Sequence, residues 1–244
     1  MFKDQIISRF NKAAQDYDSL CTPQKESAKL LIKTLSEHYP NFAPQTILDL
    51  GTGTGILVEE MLKLYHTAHY SLNDHAENML KECKKKFINY PNFSYLENDM
   101  QAIPSKYYDL VSSNFSLQWL EDPKAIISLF AKNCKIFAFT YVLQGTFSEW
   151  YQILESYNIT NATTNFLPQE QLEKLCDDIS SSCFYFTKNY ELKFSNYAAF
   201  ANYLKSIGAS ANDSSISISN LRKILKLDTE ITTSYKVFFS LLVF

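Results

Sequence analysis

Three of the five glycines in this 244-residue chain stand within five positions, at Gly51, Gly53 and Gly55. They follow residues 47–50, a mostly apolar segment typical of a buried strand. Glycine has no Cβ and tolerates positive φ, so clustered glycines let the backbone approach a ligand closely. The cluster therefore predicts a strand, a tight turn and a helix around a ligand of nucleotide size. The alternative is a tight turn without a ligand, but such turns seldom use three glycines.

The spacing of these glycines narrows the choice of ligand. A dinucleotide motif G-x-G-x-x-G beginning at Gly51 would need glycine at position 56, where Ile56 stands. What remains is the acidic Asp49, then G-x-G-x-G, then an amphipathic helix. This pattern resembles the first motif of S-adenosylmethionine (SAM)-dependent methyltransferases with a Rossmann-like fold. The resemblance implies SAM as the cofactor, with Asp49 and the glycines facing its methionine portion.

Segments with strand periodicity alternate with segments of helical periodicity along the chain. Strands are predicted near residues 46–50, 69–73, 93–97, 107–113, 135–142, 184–194 and 235–243. Helices are predicted over residues 2–17, 23–40, 56–66, 77–89, 123–133, 147–157, 168–179, 196–207 and 218–227. This alternation predicts an α/β protein whose Rossmann-like sheet has seven strands, mostly parallel, with helices on both faces.

The chain is long enough for one large domain with a full core, and we expect a single methyltransferase domain over residues 1–244. Within it, helices at 1–40 are expected to form an N-terminal helical lid over a SAM-binding core at 41–145. Residues 146–244 form the substrate-side half. That half contains a helical insertion at 196–228, before the last strand, with a Ser-rich loop at 210–219.

Composition excludes several functional classes. No apolar run reaches the length of a membrane span, and the charged N-terminal residues lack a signal-peptide core. The net charge of −3 offers no general attraction to nucleic acid. The five cysteines form no C-x-x-C pair, and neither they nor the four histidines have metal-ligand spacing, so no metal is expected. We expect a cytoplasmic protein with reduced thiols, surface histidines and a monomeric state.

Polar residues follow the other predicted parallel strands, and ligands in open α/β sheets bind beyond the strands' carboxyl ends. Asp74 lies 19 residues after Gly55, an offset that suits a carboxylate accepting hydrogen bonds from both ribose hydroxyls. Its neighbour Asn73 would take that place if the register shifted by one. Asp99 and Met100 are expected at the adenine, and Asn114 at the sulfonium end. A single aspartate after a strand is more often a helix N-cap or a solvated turn residue, but the joint spacing of all these residues favours the cofactor site.

Further segments resemble the malonyl-acyl-carrier-protein O-methyltransferases of biotin synthesis over nearly the whole chain. These segments are residues 9–14 with Tyr17 and Gln24, then residues 112–119, 143–149, 165–168, 204–209 and 233–235. The chain departs from the family pattern at residues 133–135, where a glycine pair is usual, and at Thr52, where many relatives have cysteine. The resemblance implies methylation of the free carboxylate of malonyl-acyl-carrier protein, with malonyl-coenzyme A as a weaker substitute.

A malonyl carboxylate is ionised at neutral pH, so it needs no general base to accept a methyl group. Positioning in a dry pocket would supply the catalysis. The resemblance implies that Tyr17, Gln118 and Trp119 line this pocket as catalytic residues. Other candidates for holding the carboxylate are Arg9, Tyr141 and Gln144. Tyr17 and Trp119 could instead be ordinary aromatic residues of the core, and Arg9 could be an exposed charge on a helix.

Acyl carrier proteins are acidic and would seek local cations even on an enzyme of negative net charge. The insertion supplies Lys205, Arg222, Lys223 and Lys226. On a helix over 218–227, positions 222, 223 and 226 share a face. This face could dock the carrier protein, or it could simply be solvated.

Two other functions remain open at this stage. One is a SAM-dependent methyltransferase of a free small carboxylic acid resembling aconitate, or of another small molecule. A small-acid enzyme needs a closed pocket with buried cations, whereas a carrier-protein enzyme needs a basic docking face. The other is a SAM-binding protein without catalysis, against which the intact 114–119 segment argues.

Overall fold

The computed structural model describes residues 2–104, 106–159, 166–208 and 218–244. Asn165, Ala209 and nearly all of the predicted Ser-rich loop at 210–219 lie outside the described residues. The segments on either side of them belong to the substrate-side half of the chain. Nearly all residues of the predicted SAM-binding core at 41–145 lie within the described ranges.

Seven strands form one sheet in the order β3-β2-β1-β4-β5-β7-β6. The strands are β1 (Thr46–Leu50), β2 (His69–Asp74), β3 (Phe93–Glu97), β4 (Tyr108–Ser113), β5 (Cys134–Val142), β6 (Ser182–Phe194) and β7 (Ile231–Val243). All pairs from β3 to β5 are parallel, whereas β7 runs antiparallel to both of its neighbours. The predicted seven-stranded, mostly parallel sheet is therefore confirmed.

The helices alternate with the strands as predicted, with shorter bounds at some ends. They are α1 (Phe2–Ala13), α2 (Tyr17–Leu20), α3 (Thr22–His38), α4 (Ile56–Leu62), α5 (Glu77–Lys86), α6 (Pro123–Ala131), α7 (Ser148–Ser156), α8 (Gln169–Ile179), α9 (Tyr197–Ser206) and α10 (Ile218–Ile224). Short 3-10 turns cover Met100–Ala102 and Leu117–Trp119. The first predicted helix ends at Ala13, and the last ends at Ile224. None of the described helices is both long and apolar enough to cross a membrane.

Strand alternation divides the core into two layers. Along β5, Ile136 and Ala138 face one layer, and Phe137 and Phe139 face the other. The first layer packs against α3, α4, α5, α7, α9 and α10, and the second against α6 and α8. Phe137 and Phe139 are completely buried, and burying one such side chain contributes roughly 1.5–3 kcal/mol.

The strand order reverses at β1, which has β2 on one side and β4 on the other. A crevice opens at such a reversal because the connecting helices leave the sheet on opposite faces, and ligands bind there. The turns after β1, β2, β3 and β4 all converge on this crevice.

The N-terminal helices pack over this end of the sheet. Ala13 and Ala14 at the end of α1 contact Ala76 and Met79 at the start of α5, where small side chains allow close approach. Asp18 of α2 accepts hydrogen bonds from Thr54 Oγ1 at 2.5 Å and from Lys86 Nζ at 2.6 Å. These contacts place α1 and α2 against the glycine turn. Opening and closing of this segment as a lid stays a prediction.

Candidate active site

A cavity of about 990 Å³ lies at the carboxyl ends of β1, β2 and β4. Most of the predicted cofactor residues line it, namely Asp49, Gly51, Gly53, Asp74, Asp99, Met100 and Asn114. The side chains of Lys3, Ile6, Ile7 and Phe10 from α1 cover one side.

The turn after β1 borders this cavity, and its backbone conformation requires glycine at three positions. Gly51, Gly53 and Gly55 have φ values of +65°, +57° and +86°, a left-handed conformation that glycine adopts without strain. A Cβ at Gly51 would lie 1.8 Å from Ser116 Oγ, whereas a Cβ at Gly53 would meet no atom within 4 Å. Gly53 therefore leaves open space for a ligand.

Gly55 was predicted to bind the cofactor, and the structure corrects this. It is not part of the cavity lining, and it stands immediately before the first residue of α4. A Cβ there would lie 2.4 Å from Phe87 Cε2. Gly55 thus allows α4 to start close to Phe87, which follows α5, so its role is in packing.

Asp49 lies at the floor of the cavity and is almost completely buried. Its Oδ1 accepts a hydrogen bond from Ser112 Oγ at 2.7 Å. Its Oδ2 is buried without a well-formed hydrogen bond among the described residues. Burial raises the pKa of Asp49 to about 7, although the Ser112 hydrogen bond and a weaker interaction with the Thr52 hydroxyl act in the opposite direction. Such a carboxylate suits a ligand that brings a positive charge or several donors.

Asp74, the predicted ribose ligand, and its neighbour Asn73 both line the first cavity at the end of β2. Asp74 accepts hydrogen bonds from the backbone N–H groups of Gly53 and Ala76, each at 2.8 Å. Asn73 is turned toward β3, where its Nδ2 donates to Leu96 O at 3.0 Å and Asn98 O at 2.7 Å. Burial raises the pKa of Asp74, and these backbone donors oppose the increase. Asp74 therefore stays the predicted ribose ligand, because the Asn73 amide nitrogen is engaged with residues at the end of β3.

The residues after β3 and β4 combine lining and structural roles. Asp99 Oδ1 accepts from Gln101 N at 3.1 Å, and Asp99 Oδ2 pairs with Lys3 Nζ from α1. Asp99 therefore caps its turn and lines the cavity at the same time. Asn114 Oδ1 accepts from Ser27 Oγ at 2.7 Å and Thr140 Oγ1 at 2.8 Å. Asn114 thereby fixes α3 against β4 and β5 at the cavity wall.

A second cavity of about 600 Å³ adjoins the first. Five residues line both cavities, and these are Phe10, Tyr17, Gln24, Phe115 and Trp119. The predicted residues Tyr17 and Trp119 therefore stand at the junction, and Gln118 lines the second cavity. The ring of Trp119 is held edge-to-face by Phe10 at 5.6 Å and by Phe166 at 6.3 Å between centroids.

The second cavity is apolar and aromatic, and no lysine or arginine among the described residues lines it. Its polar groups include the hydroxyls of Tyr17 and Tyr235 and the amides of Gln24 and Gln118. Burial is the main cause that raises the pKa of both tyrosines well above the ordinary value, so their hydroxyls stay protonated donors. Buried oxygens of Gln24 and Gln118 lack a well-formed hydrogen bond among the described residues.

The sequence analysis missed Tyr235 and Phe147 as members of this cavity. Tyr235 lies in the last strand, more than two hundred residues after Tyr17. The segment containing Tyr235 carried part of the family resemblance, and that was the available signal. Its place beside the N-terminal helices depends on β7 pairing next to β5.

Three residues predicted to hold the substrate carboxylate lie outside the linings of both cavities. Tyr141 is in β5 and points into the layer of Phe137 and Phe139, where its hydroxyl accepts from Leu167 N at 3.4 Å. Gln144 is exposed outside both cavities. Arg9 lies on α1 outside both linings, and burial lowers the pKa of its guanidinium. In α1 the neighbouring Phe10 faces the cavities instead.

The predicted basic residues of the insertion are all exposed, and they are Lys205, Arg222, Lys223 and Lys226. Lys205 belongs to α9, and Arg222 and Lys223 belong to α10. Lys226 lies in the turn after α10, so the predicted common helical face extends only to Lys223. All four histidines are exposed, and no group of described residues could hold a metal ion.

Comparison with known proteins supports this fold. A methyltransferase-domain family model matches residues 47–135, which include the glycine turn and β1 to β4. The fold is shared with the plantazolicin methyltransferase BpumL in complex with SAH, at 16% identity and a TM-score of 0.59 over 99% of this chain and 95% of that one. It is also shared with magnesium protoporphyrin IX methyltransferase from Synechocystis PCC 6803, at 13% identity and a TM-score of 0.55 over 90% and 79%.

Curated relatives match over most of the chain. Malonyl-[acyl-carrier protein] O-methyltransferase from Neorickettsia risticii (strain Illinois) is 25% identical over 97% of this chain and 94% of that protein. The enzyme of the same name from Bacillus anthracis is 30% identical over 85% of this chain and 81% of that protein. These matches extend through the substrate-side half, far beyond the common methyltransferase motifs. The chain therefore belongs to the malonyl-[acyl-carrier protein] O-methyltransferase family.

Proposed function

We propose that this protein is a SAM-dependent carboxyl O-methyltransferase that converts the free carboxylate of malonyl-acyl-carrier protein to its methyl ester, an early step of biotin synthesis. The observation that carries the proposal is the pair of joined cavities in a chain of this family. One cavity has the residues to hold the cofactor. The other is an aromatic chamber that meets it at Tyr17 and Trp119.

The first cavity fits SAM on four structural grounds. Gly53 leaves open space where any side chain would project, and Asp74 offers carboxylate oxygens at the end of β2 for the ribose hydroxyls. The buried Oδ2 of Asp49 lacks a well-formed hydrogen bond among the described residues, which suits the amino group of the methionine portion. Met100 and Asp99 line the side of the cavity where the adenine would bind.

When bound, SAM supplies a methyl group on positively charged sulfur, which a carboxylate oxygen can accept without first losing a proton. The protein then needs no general base, which agrees with a junction built from Tyr17, Gln24, Phe115 and Trp119. Its contribution is to align the carboxylate and to exclude water.

The second cavity, called the inner cavity from here on, has no lysine or arginine among its described lining residues, and this has a chemical consequence. A carboxylate paired with arginine or lysine is stabilised in its ground state and is a weaker nucleophile. Neutral donors can orient the carboxylate with less stabilisation of its charge, and the hydroxyls of Tyr17 and Tyr235 are such donors. We therefore assign these two tyrosines to orienting the malonyl carboxylate, and Trp119 to covering it.

The absence of a described cation from the inner cavity also favours a malonyl thioester over a free small acid such as aconitate. A free polycarboxylic acid would bring two or three charges into a chamber that offers no described cation, at a large desolvation cost. A malonyl thioester brings one charge, and the rest of its chain is uncharged where it enters. Lys205, Arg222 and Lys223 are exposed and remain our candidates for docking the acidic carrier.

The test is methyl transfer from labelled SAM to malonyl-acyl-carrier protein, with malonyl-coenzyme A, free malonate and aconitate in parallel. We expect preferential labelling of the carrier-bound malonyl group as a base-labile methyl ester. Labelling of the free acids alone would replace this proposal with the small-acid function. Bound SAM without labelling of any acceptor would instead indicate a SAM-binding protein without catalysis.

A further inference from the structure

A groove of about 1090 Å³ begins where the inner cavity ends. Tyr151 of α7 and Phe166 line both the inner cavity and this groove. The groove continues along α7 and the segment after β5 to the start of α8, and several of its side chains are exposed. The groove is therefore open to solvent and lies next to the second cavity, with Tyr151 and Phe166 at the boundary between them.

The lining of this groove is polar but mostly uncharged. Three exposed glutamines line it, namely Gln144, Gln152 and Gln171, together with the hydroxyl residues Thr146 and Ser148. A side-chain amide both donates and accepts hydrogen bonds, so it pairs well with amide groups of a ligand. Glu155 is the acidic residue of the lining. The groove is thus suited to a flexible chain that carries amides.

Two lysines lie just behind the lining of the groove, each beside one lining residue. Lys124 Nζ donates to Gln171 Oε1 at 2.7 Å. Lys236 crosses Gly145 so closely that a Cβ at Gly145 would lie 2.9 Å from Lys236 Nζ. Lys236 forms no ion pair within the described part of the chain. Its ammonium is therefore available to an anionic group that reaches Gly145.

We infer that this groove holds the phosphopantetheine arm of the malonyl-carrying protein, with the glutamines facing the arm's amides and Lys236 binding its phosphodiester. This inference rests on the proposed function and adds the path of the substrate to it. The malonyl thioester would then pass between Tyr151 and Phe166 into the inner cavity. Gln144, which does not touch the carboxylate, gains a role along the arm.

The position of the basic residues agrees with this path. Helix α7 forms one wall of the groove, and α10 packs against α7. Asn220 Nδ2 of α10 donates to Tyr157 O, just after α7, at 2.9 Å. A carrier protein seated on Arg222 and Lys223 would therefore dock one helix away from the groove that receives its arm.

The experiment measures kcat/KM for three acceptors that share the malonyl thioester. Malonyl-acyl-carrier protein and malonyl-coenzyme A carry the phosphorylated arm, whereas malonyl-N-acetylcysteamine carries the thioester and one amide without phosphate. The variants are Lys236→Gln and Lys236→Glu. The matched control is Lys132→Gln, an exposed lysine between α6 and β5, at the opposite end of β5 from Gly145. SAM affinity and the circular dichroism spectrum report on folding.

We expect Lys236→Gln to lower kcat/KM about five- to tenfold for both phosphate-bearing acceptors, mainly through KM, relative to the truncated acceptor. Lys236→Glu should have a larger effect in the same direction, and Lys132→Gln should have none. Equal losses on all three acceptors, or no loss on any, would overturn the inference. A loss on the carrier protein but not on malonyl-coenzyme A would also overturn it, because Lys236 would then contact the carrier surface. If the unmodified protein methylates none of the three acceptors, the proposed function itself is refuted.

Discussion

Replacing Asp49 with asparagine should stabilise the ligand-free protein at pH 8 and weaken its binding of SAM. Asp49 is 1% exposed, and its Oδ2 has no well-formed hydrogen bond among the described residues. Burial raises the pKa of Asp49 to about 7. The ionised form is therefore held in the folded protein at a cost, and a neutral side chain of the same shape avoids that cost.

The sign of the pH dependence follows from this raised pKa. The folded protein binds the Asp49 proton more tightly than the unfolded chain does, where the aspartate pKa is about 3.9. The free energy of unfolding therefore falls as the pH rises from about 4 to about 7, and this effect levels off above pH 7. The difference between the two pKa values corresponds to roughly 4 kcal/mol at pH 8 and to about 1.5 kcal/mol at pH 5.

The asparagine in the Asp49→Asn variant would keep the acceptor for Ser112 Oγ, but its NH2 group would have only the Thr52 hydroxyl nearby, without a well-formed hydrogen bond, at a cost of about 1–3 kcal/mol. The net result at pH 8 is a gain of about 1–3 kcal/mol for the variant, equivalent to roughly 2–12 °C in Tm. At pH 5 the substitution removes only a small cost of ionising Asp49, and the cost of burying the asparagine NH2 group nearly cancels that gain. The variant should therefore have little advantage there, or be less stable.

The assay is thermal and urea unfolding of both proteins at pH 5 and pH 8 without SAM, with SAM affinity measured by calorimetry at pH 8. The control is Asp109→Asn. Burial would raise the pKa of Asp109, but hydrogen bonds from Gln45 and Thr46 outweigh it and lower that pKa. Its stabilisation is therefore present at neutral pH and lost as pH falls through the lowered pKa, so this control should be destabilised at pH 8. A pH-independent difference between Asp49→Asn and the unmodified protein would refute the reasoning.

Three further predictions concern the two cavities. Asp74→Ala should weaken SAM binding about 10- to 100-fold by calorimetry, because the ribose loses a charged acceptor and the Gly53 N–H loses its partner; unchanged affinity would contradict the ribose assignment. Tyr17→Phe should lower kcat about tenfold with SAM affinity within twofold, as measured by single-turnover methyl transfer and calorimetry; loss of SAM binding instead would show that Tyr17 serves the first cavity. Gly51→Ala should abolish SAM binding, since its Cβ would lie 1.8 Å from Ser116 Oγ and its φ of +65° is strained for alanine. In Gly53→Ala the new Cβ would meet no atom of the ligand-free protein, so only the backbone strain remains. The ligand-free Tm should therefore fall less in Gly53→Ala than in Gly51→Ala.

The features that could be predicted from the sequence are those that local chemistry requires. The turn after β1 needs left-handed backbone at Gly51 and Gly53, and only glycine adopts it without strain. Alternating strand and helix periods predicted the parallel part of the sheet, and parallel strands bring their carboxyl ends to one edge. Asp74, Asp99 and Asn114 were therefore predictable as neighbours.

The side-chain face along a strand could be assigned only from the folded sheet. Thr140 and Val142 face the layer that contains the inner cavity, and Tyr141 between them faces the opposite one. In a strand buried on both faces, the apolar pattern is nearly continuous and does not show which layer each residue enters. This is why Tyr141 was a reasonable candidate, although it lies outside both cavities.

The sequence by itself determined the cofactor turn, the α/β class and the family, because each depends on residues that lie close together in the chain. Only the tertiary structure decided the substrate chamber. Tyr17 and Tyr235 meet there because β7 inserts antiparallel beside β5 while α1 to α3 fold back over the same edge. The raised pKa of Asp49 likewise depends on the surrounding layers, since burial is a property of the packed molecule and not of any short segment.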